Sequence, residues 1–149
     1  MSDIIQVFIE NPAGSRIKNI HDEKTLEFKE SILVARSYPF PYGFILGTTN
    51  EDGDNLDCFV LTNCALRRGD VVTCSVVGLM EQFEDGKQDH NILATPAGES
   101  ATLTESVKSE LKVFVTHVFD GQLGKSINVG EFLDVTPALN LFKQCRDKT

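Results

Sequence analysis

Positive charge is scarce in this chain of 149 residues: 14 lysines and arginines stand against 22 aspartates and glutamates, for a formal net charge of -8. Broad attraction to nucleic acid or to an anionic membrane is therefore disfavoured. Long apolar runs are missing as well. Stretches such as Ile32 to Ala35 stop far short of the roughly 18 residues that span a bilayer. Met1-Ser2-Asp3 lead straight into a strand-like stretch, without the basic start and apolar core of a secretion signal, so a cytoplasmic protein is expected. Cys58, Cys64, Cys74 and Cys145 include no C-x-x-C pair, and three of them sit among apolar neighbours. Buried reduced thiols are expected from that, in preference to a zinc site or disulfides. No repeat, low-complexity linker or second domain is apparent. Residues 1–149 read as one domain, long enough to bury a hydrophobic core. His21, His90 and His117 show no ligand spacing.

What the chain does contain is a succession of short β-type segments. Ile4 to Ile9, Ser31 to Arg36, Cys58 to Leu61, Val71 to Met80, Asn91 to Ala94 and Ile127 to Val135 are rich in β-branched or apolar residues, and Gly, Asn, Asp and Pro clusters separate them. From Thr102 to Phe119 the period changes: Leu103, Val107, Leu111, Phe114, Val115 and Val118 recur at three- and four-residue steps, which places one apolar stripe along a helix. Thr102 with Glu105 reads as a capping box, and Asp120-Gly121 as the stop. Thr136-Pro137 reads as an N-cap followed by proline at the first helical position of a short helix running toward Cys145. A β-rich α+β fold is expected, a small closed or partly open barrel with helices on its outside.

Chemistry concentrates in the turns. Glu51-Asp52-Gly53-Asp54-Asn55-Leu56-Asp57 crowds carboxylates that repel one another unless solvent screens them or a divalent cation neutralises them. Asp-Gly is also a leading turn dipeptide, so a solvated hairpin accounts for the local sequence too. An EF-hand does not: counting from Asp52 puts Leu56 and Asp57 where that loop needs an oxygen ligand and a glycine. A second acidic turn, Glu84-Asp85-Gly86-Lys87-Gln88-Asp89, allows the same two readings. Should both turns sit at one end of a barrel, their carboxylates could share hard cations such as magnesium, manganese or calcium. Two further stretches complete the set. Tyr38-Pro39-Phe40-Pro41-Tyr42-Gly43-Phe44-Ile45 is stiffened by its prolines. Glu10 to Lys18 combines a strand end, a tight turn and a cation able to meet phosphate.

In this order and spacing the four features resemble the soluble, magnesium-dependent inorganic pyrophosphatases. The likeness runs from about Val7 to Pro96, through E-x-P-x-G-S-R-x-K at Glu10 to Lys18, Y-P-x-x-Y-G-F-I at Tyr38 to Ile45, D-G-D-x-x-D at Asp52 to Asp57, and the acidic turn at Glu84 to Asp89. The resemblance implies a five-stranded OB-like barrel with flanking helices, hydrolysis of diphosphate to two phosphates, Mg2+ (or Mn2+) as cofactor, and a homo-oligomer of up to six copies. By position, Asp52, Asp57 and Asp89 would hold the principal metal, with Asp57 reaching a second. Glu84 would be a metal ligand standing where the family has Asp. Asp54 would be the general base for the attacking water, with Tyr42 beside that water. Lys18 would contact a phosphate, with Glu10 and Tyr38 as supporting residues.

The chain also departs from that pattern. Ile20 stands where the family carries a metal-linked Glu, Glu30 where it has an Arg, Asn91 where it has a Lys, and Val118-Phe119 where it has Tyr-Lys. Cations facing the diphosphate thus become neutral or negative. Arg16, Lys29, Arg36, Lys87 and Lys125 are the positive residues from which replacements could come. Two other functions follow from the loss: hydrolysis of another, organic or less charged phosphoanhydride, or a catalytically weakened barrel that serves as a binding or assembly subunit.

Overall fold

The computed structural model describes residues 4–122 and 126–148. Five strands close into a ring: β1 (Ile4–Asn11), β4 (Tyr42–Ile45), β5 (Asp57–Val60), β8 (Asn91–Pro96) and β6 (Val71–Glu84), whose first half returns to pair with β1. Every neighbouring pair is antiparallel except β5 with β8, which run parallel. The expected five-stranded barrel with helices is therefore what the chain forms. Closure also removes the exposed edges that an open sheet would present.

One strand makes the ring possible. β6 is 14 residues long and carries register shifts at Val76/Gly78 and Met80/Gln82. Bulges bend and twist a strand, so β6 can serve β1, then β8, then β9 (Ile127–Leu133) along its length. It ends in a two-residue turn into β7 (Lys87–Gln88), where Asp85 and Gly86 both take positive φ (52° and 83°). That is the Asp-Gly hairpin signature.

Alternation along the strands sorts the apolar residues into two clusters. Ile5, Val7, Ile9, Ile45, Cys58, Val60, Cys74, Ile92 and Ala94 fill the interior, together with Ala138, Phe142 and Cys145 of α2 (Val135–Cys145). Phe59, Leu61, Met80 and Leu93 point to the other side, where Leu111, Phe114 and Val115 of α1 (Glu105–His117) cover them. Cys58, Cys74 and Cys145 are buried and free, as their apolar surroundings suggested; Cys64 is exposed.

A two-stranded sheet of β2 (Ile17–His21) and β3 (Phe28–Leu33) stands apart from the barrel. β3 thus belongs to a hairpin outside the ring, and it ends before Arg36. Both helix starts also differ from expectation. Thr104, not Thr102, caps α1, its hydroxyl accepting from the Val107 N–H at 3.2 Å. α2 begins at Val135 after Asp134, which puts Pro137 inside the first turn. Proline is tolerated there because the first N–H groups of a helix have no intrahelical acceptor, so Thr-Pro did not mark the boundary.

Candidate active site

Strand parity decides where the polar residues go. Cys58 and Val60 of β5 and Ile92 and Ala94 of β8 point into the barrel, which leaves Asp57, Phe59, Asn91 and Leu93 on the outer face beside α1. Asp57 and Asn91 are direct partners across the parallel ladder, and Tyr42 faces Phe59 from β4. A cavity of about 360 Å³ opens on this face. Gly43, next to Tyr42, has to lack a side chain because a Cβ there would overlap the Phe8 carbonyl of β1.

All nine residues singled out from the sequence line this cavity: Glu10, Lys18, Tyr38, Tyr42, Asp52, Asp54, Asp57, Glu84 and Asp89. The two acidic turns therefore meet rather than pointing apart. The first is built by its own backbone. Asn50 N–H donates to the Asp54 carbonyl at 2.7 Å, Gly53 takes φ +88°, and Asp52 Oδ1 accepts from Asp54 N–H at 2.9 Å. Asp52 and Asp54 are left exposed at the cavity mouth, while Asp57 and Asp89 sit half-buried within it. Glu84 and Asp89 come from the β6–β7 turn and the segment just after it.

Three residues at the site carried no site role in the sequence reading. Glu23, between β2 and β3, lines the cavity and accepts the Asn55 N–H on Oε1 at 2.9 Å. Gln82 donates from Nε2 to Asp89 Oδ2 at 3.4 Å and accepts on Oε1 from Asn91 Nδ2 at 2.8 Å. That chain of amides fixes which end of Asn91 is which, and its Oδ1 is left buried with no hydrogen-bond partner among the described residues. Nothing in the local sequence signals these roles, since each depends on a contact between separate elements.

The positive side is thin. Lys18 is the single cation among the described lining residues, against the carboxylates of Glu10, Glu23, Asp52, Asp54, Asp57, Glu84 and Asp89. Its ammonium also lies 5.7 Å from the centroid of the Phe119 ring, within cation–π range. Arg16 donates to the Ala35 carbonyl and lines a separate surface hollow with Arg36. Lys29 and Lys87 are exposed and do not line the cavity, nor does Glu30. Lys125 lies outside the described residues. The opposite wall is apolar, formed by Ile20 and Ile32 of the hairpin and by Phe114, Val115, Val118 and Phe119 at the end of α1.

Such crowding moves protons. Burial, then the charges of Asp89 and Glu23, push the Asp57 carboxyl well above its ordinary value. Asp89 is raised chiefly by burial and by Glu84, against a hydrogen bond from Asp57 that holds it down. Both carboxyls therefore bind a proton more readily than an exposed aspartate does. Burial and the neighbouring Asp54, Glu10 and Asp52 charges, opposed by the Asn55 N–H, push Glu23 up to about 7. Burial and the Asp57 charge keep the Tyr42 phenol protonated far into the alkaline range. Glu10, also raised by burial, is gripped by His21, whose N–H donates to Oε2 at 3.0 Å.

The donor set suits a hard divalent cation. Asp57 and Asp89 supply carboxylate oxygens whose charged form burial disfavours, and the orphaned Asn91 Oδ1 is a further oxygen acceptor on the same wall. No three Asp, Glu, His or Cys side chains among the described residues are drawn close enough to cage an ion. The oxygens stand around the cavity instead, an arrangement that suits ions held partly by water and substrate, as magnesium usually is.

Comparison with known proteins gives one answer by three routes. The family described as inorganic pyrophosphatase matches residues 7–149. The inorganic pyrophosphatase of Nanoarchaeum equitans is 30% identical, with 96% of each chain covered. Among solved structures, the inorganic pyrophosphatase of Thermus thermophilus superposes with a TM-score of 0.87 at 30% identity, covering 96% of this chain and 89% of that one. The enzyme of Neisseria gonorrhoeae superposes with a TM-score of 0.88 at 27% identity, covering 97% and 90%.

Proposed function

The chain belongs to the inorganic pyrophosphatase family, and we propose that it hydrolyses inorganic diphosphate to two phosphates at this cavity, using Mg2+, with Mn2+ as a substitute. The observation that supports this most is the meeting of the Asp52–Asp57 and Glu84–Asp89 turns on one half-buried cavity with Lys18.

Asp52, Asp57, Glu84 and Asp89 are the residues that would hold the metal. Bound there, magnesium supplies positive charge to the phosphate oxygens and acidifies the attacking water. Asp54, exposed at the mouth, takes the proton as the water oxygen attacks one phosphorus and the bridging P–O bond breaks toward the second phosphate. Tyr42 keeps its proton and donates a hydrogen bond beside that water. Lys18 orients a phosphoryl oxygen. Glu10, fixed by His21, and Tyr38, whose hydroxyl accepts from Asn11 Nδ2 at 3.2 Å, hold the hairpin and β1 in register around the site. Glu84 carries one methylene more than an aspartate, which keeps the charge but shifts its carboxylate.

Asp54→Asn is the direct check, with phosphate release from diphosphate measured in magnesium. A general base contributes about 10²–10⁴-fold, so a loss of that size is expected; equal rates would remove Asp54 from the role.

The apolar wall favours a second reading. A face of Ile20, Ile32, Val118 and Phe119 offers an organic substituent more than it offers a second phosphate. A phosphate-release screen over nucleotides and nucleotide sugars decides it, and diphosphate emerging as the fastest substrate ends that reading. We further infer a cytoplasmic homo-oligomer built from one domain. The solvent-facing Ile17 and Leu33, paired across the β2–β3 hairpin, supply an apolar contact surface. None of the helices among the described residues is long and apolar enough to cross a membrane.

A further inference from the structure

The turn between β2 and β3 is fastened to the acidic loop by two adjacent side chains of opposite charge. Lys24 Nζ donates to the Thr48 carbonyl, Thr49 Oγ1 and Asn55 Oδ1 at 2.9, 2.9 and 2.6 Å. Glu23 Oε1 accepts from Asn55 N–H at 2.9 Å. Both ends of Asn55 are thereby occupied, since its Nδ2 donates to the Ile45 carbonyl at 2.9 Å. The Lys24 ammonium, spent on three oxygens of the loop, forms no ion pair with Glu23.

Among the described residues Glu23 has one donor for two carboxylate oxygens, and it lies half-buried on the cavity wall that Glu10, Asp52 and Asp54 also line. A carboxylate sharing one cavity with these others is an unfavourable element that a fold does not need for its own sake, because a glutamine there would accept the same N–H. The buried, unpartnered Asn91 Oδ1 on the same cavity independently asks for a ligand of positive character.

From this geometry we propose that Glu23 is a cation-facing carboxylate of the active site, fixed by the Lys24–Asn55 clamp and presented to the divalent ion on the Asp52–Asp54 side of the cavity. The proposal rests on the pyrophosphatase reading above and adds a residue to it. The clamp ties the ion to the hairpin: with magnesium bound, the turn at residues 22–24 and the loop at residues 49–55 are held from both sides.

Magnesium binding followed by titration calorimetry tests this on the intact protein, with Glu23→Gln as the variant. Glutamine preserves the shape and the hydrogen bond from Asn55, so the metal-free protein should melt no lower than the parent. Its magnesium affinity should fall by about tenfold or more. Glu30→Gln, which removes an exposed charge outside the cavity, should leave the isotherm unchanged. Identical isotherms for the parent and Glu23→Gln, or equal weakening in both variants, would overturn the assignment while leaving the pyrophosphatase reading in place. A parent protein that binds no magnesium at all would bring down both.

Discussion

The cavity has two walls of opposite chemistry, and the contrast between them says more than either does alone. On the barrel side, β1, β5 and the two acidic turns place carboxylates, and burial together with neighbouring negative charge raises the proton affinity of Asp57 and Asp89. On the other side, α1 and the β2–β3 hairpin present Ile20, Ile32, Val118 and Phe119, with Glu23 of the hairpin turn as the exception and Lys18 as the one cation in reach among the described residues. Divalent cations between the oxygens, as proposed, would relieve the crowding of the first wall. The second gives a highly charged diphosphate little to hold. Metal gathering and substrate gripping are thus separable tasks, and this chain is furnished far more fully for the first.

The largest effect should come from breaking the acidic wall. Asp57→Asn removes one member of the buried pair, so diphosphate hydrolysis in magnesium should fall by about 10²-fold or more, the loss expected when a metal site is disabled. The same variant should melt higher than the parent in EDTA, because it relieves repulsion inside a half-buried cluster. Lower activity together with a lower metal-free midpoint would show that Asp57 serves the fold instead.

A smaller gain is expected from repairing the opposite wall. Phe119→Lys would place a second ammonium beside Lys18, and a charge-assisted contact at the weak end, about 1.5 kcal/mol, corresponds to roughly tenfold in kcat/KM for diphosphate. Steady-state kinetics on diphosphate and on an organic phosphoanhydride would sharpen the contrast. A rise for diphosphate with a fall for the organic substrate would mark the apolar wall as a specificity surface. A fall for both would show that the ring was needed for packing against Lys18.

Much of the acidic wall was readable in the sequence because it is encoded locally. The spacing Asp52, Asp54, Asp57 combines a tight turn with the first residue of β5, and strand parity then sends Asp57 outward beside Phe59. The Asp85-Gly86 turn places Glu84 and Asp89 in the same manner. The barrel was readable for a similar reason, since turn residues punctuate each strand. What stayed hidden depends on contacts between distant segments. Glu23 and Lys24 reach Asn55 across more than 30 positions, and Gln82 acquires its role only when β6 lies beside β8. Helix starts were misplaced by two residues or fewer, because neighbouring threonines at 102 and 104 fit a cap equally well until the Val107 N–H chooses one.

The central claim, that opposed carboxylates are held together by shared divalent cations, is tested most directly by melting the protein with and without millimolar magnesium from about pH 5 to 8. Glu23, raised from an ordinary 4.5 to about 7, and Asp57 and Asp89, also raised, bind protons more readily in the folded state. Their contribution therefore favours the fold below the unfolded values and is lost as pH rises through the folded ones, about 7 for Glu23. The metal-free midpoint should fall across that range from these groups, and the stabilisation by magnesium should grow as the competing protons leave. A midpoint indifferent to magnesium at every pH would contradict the account.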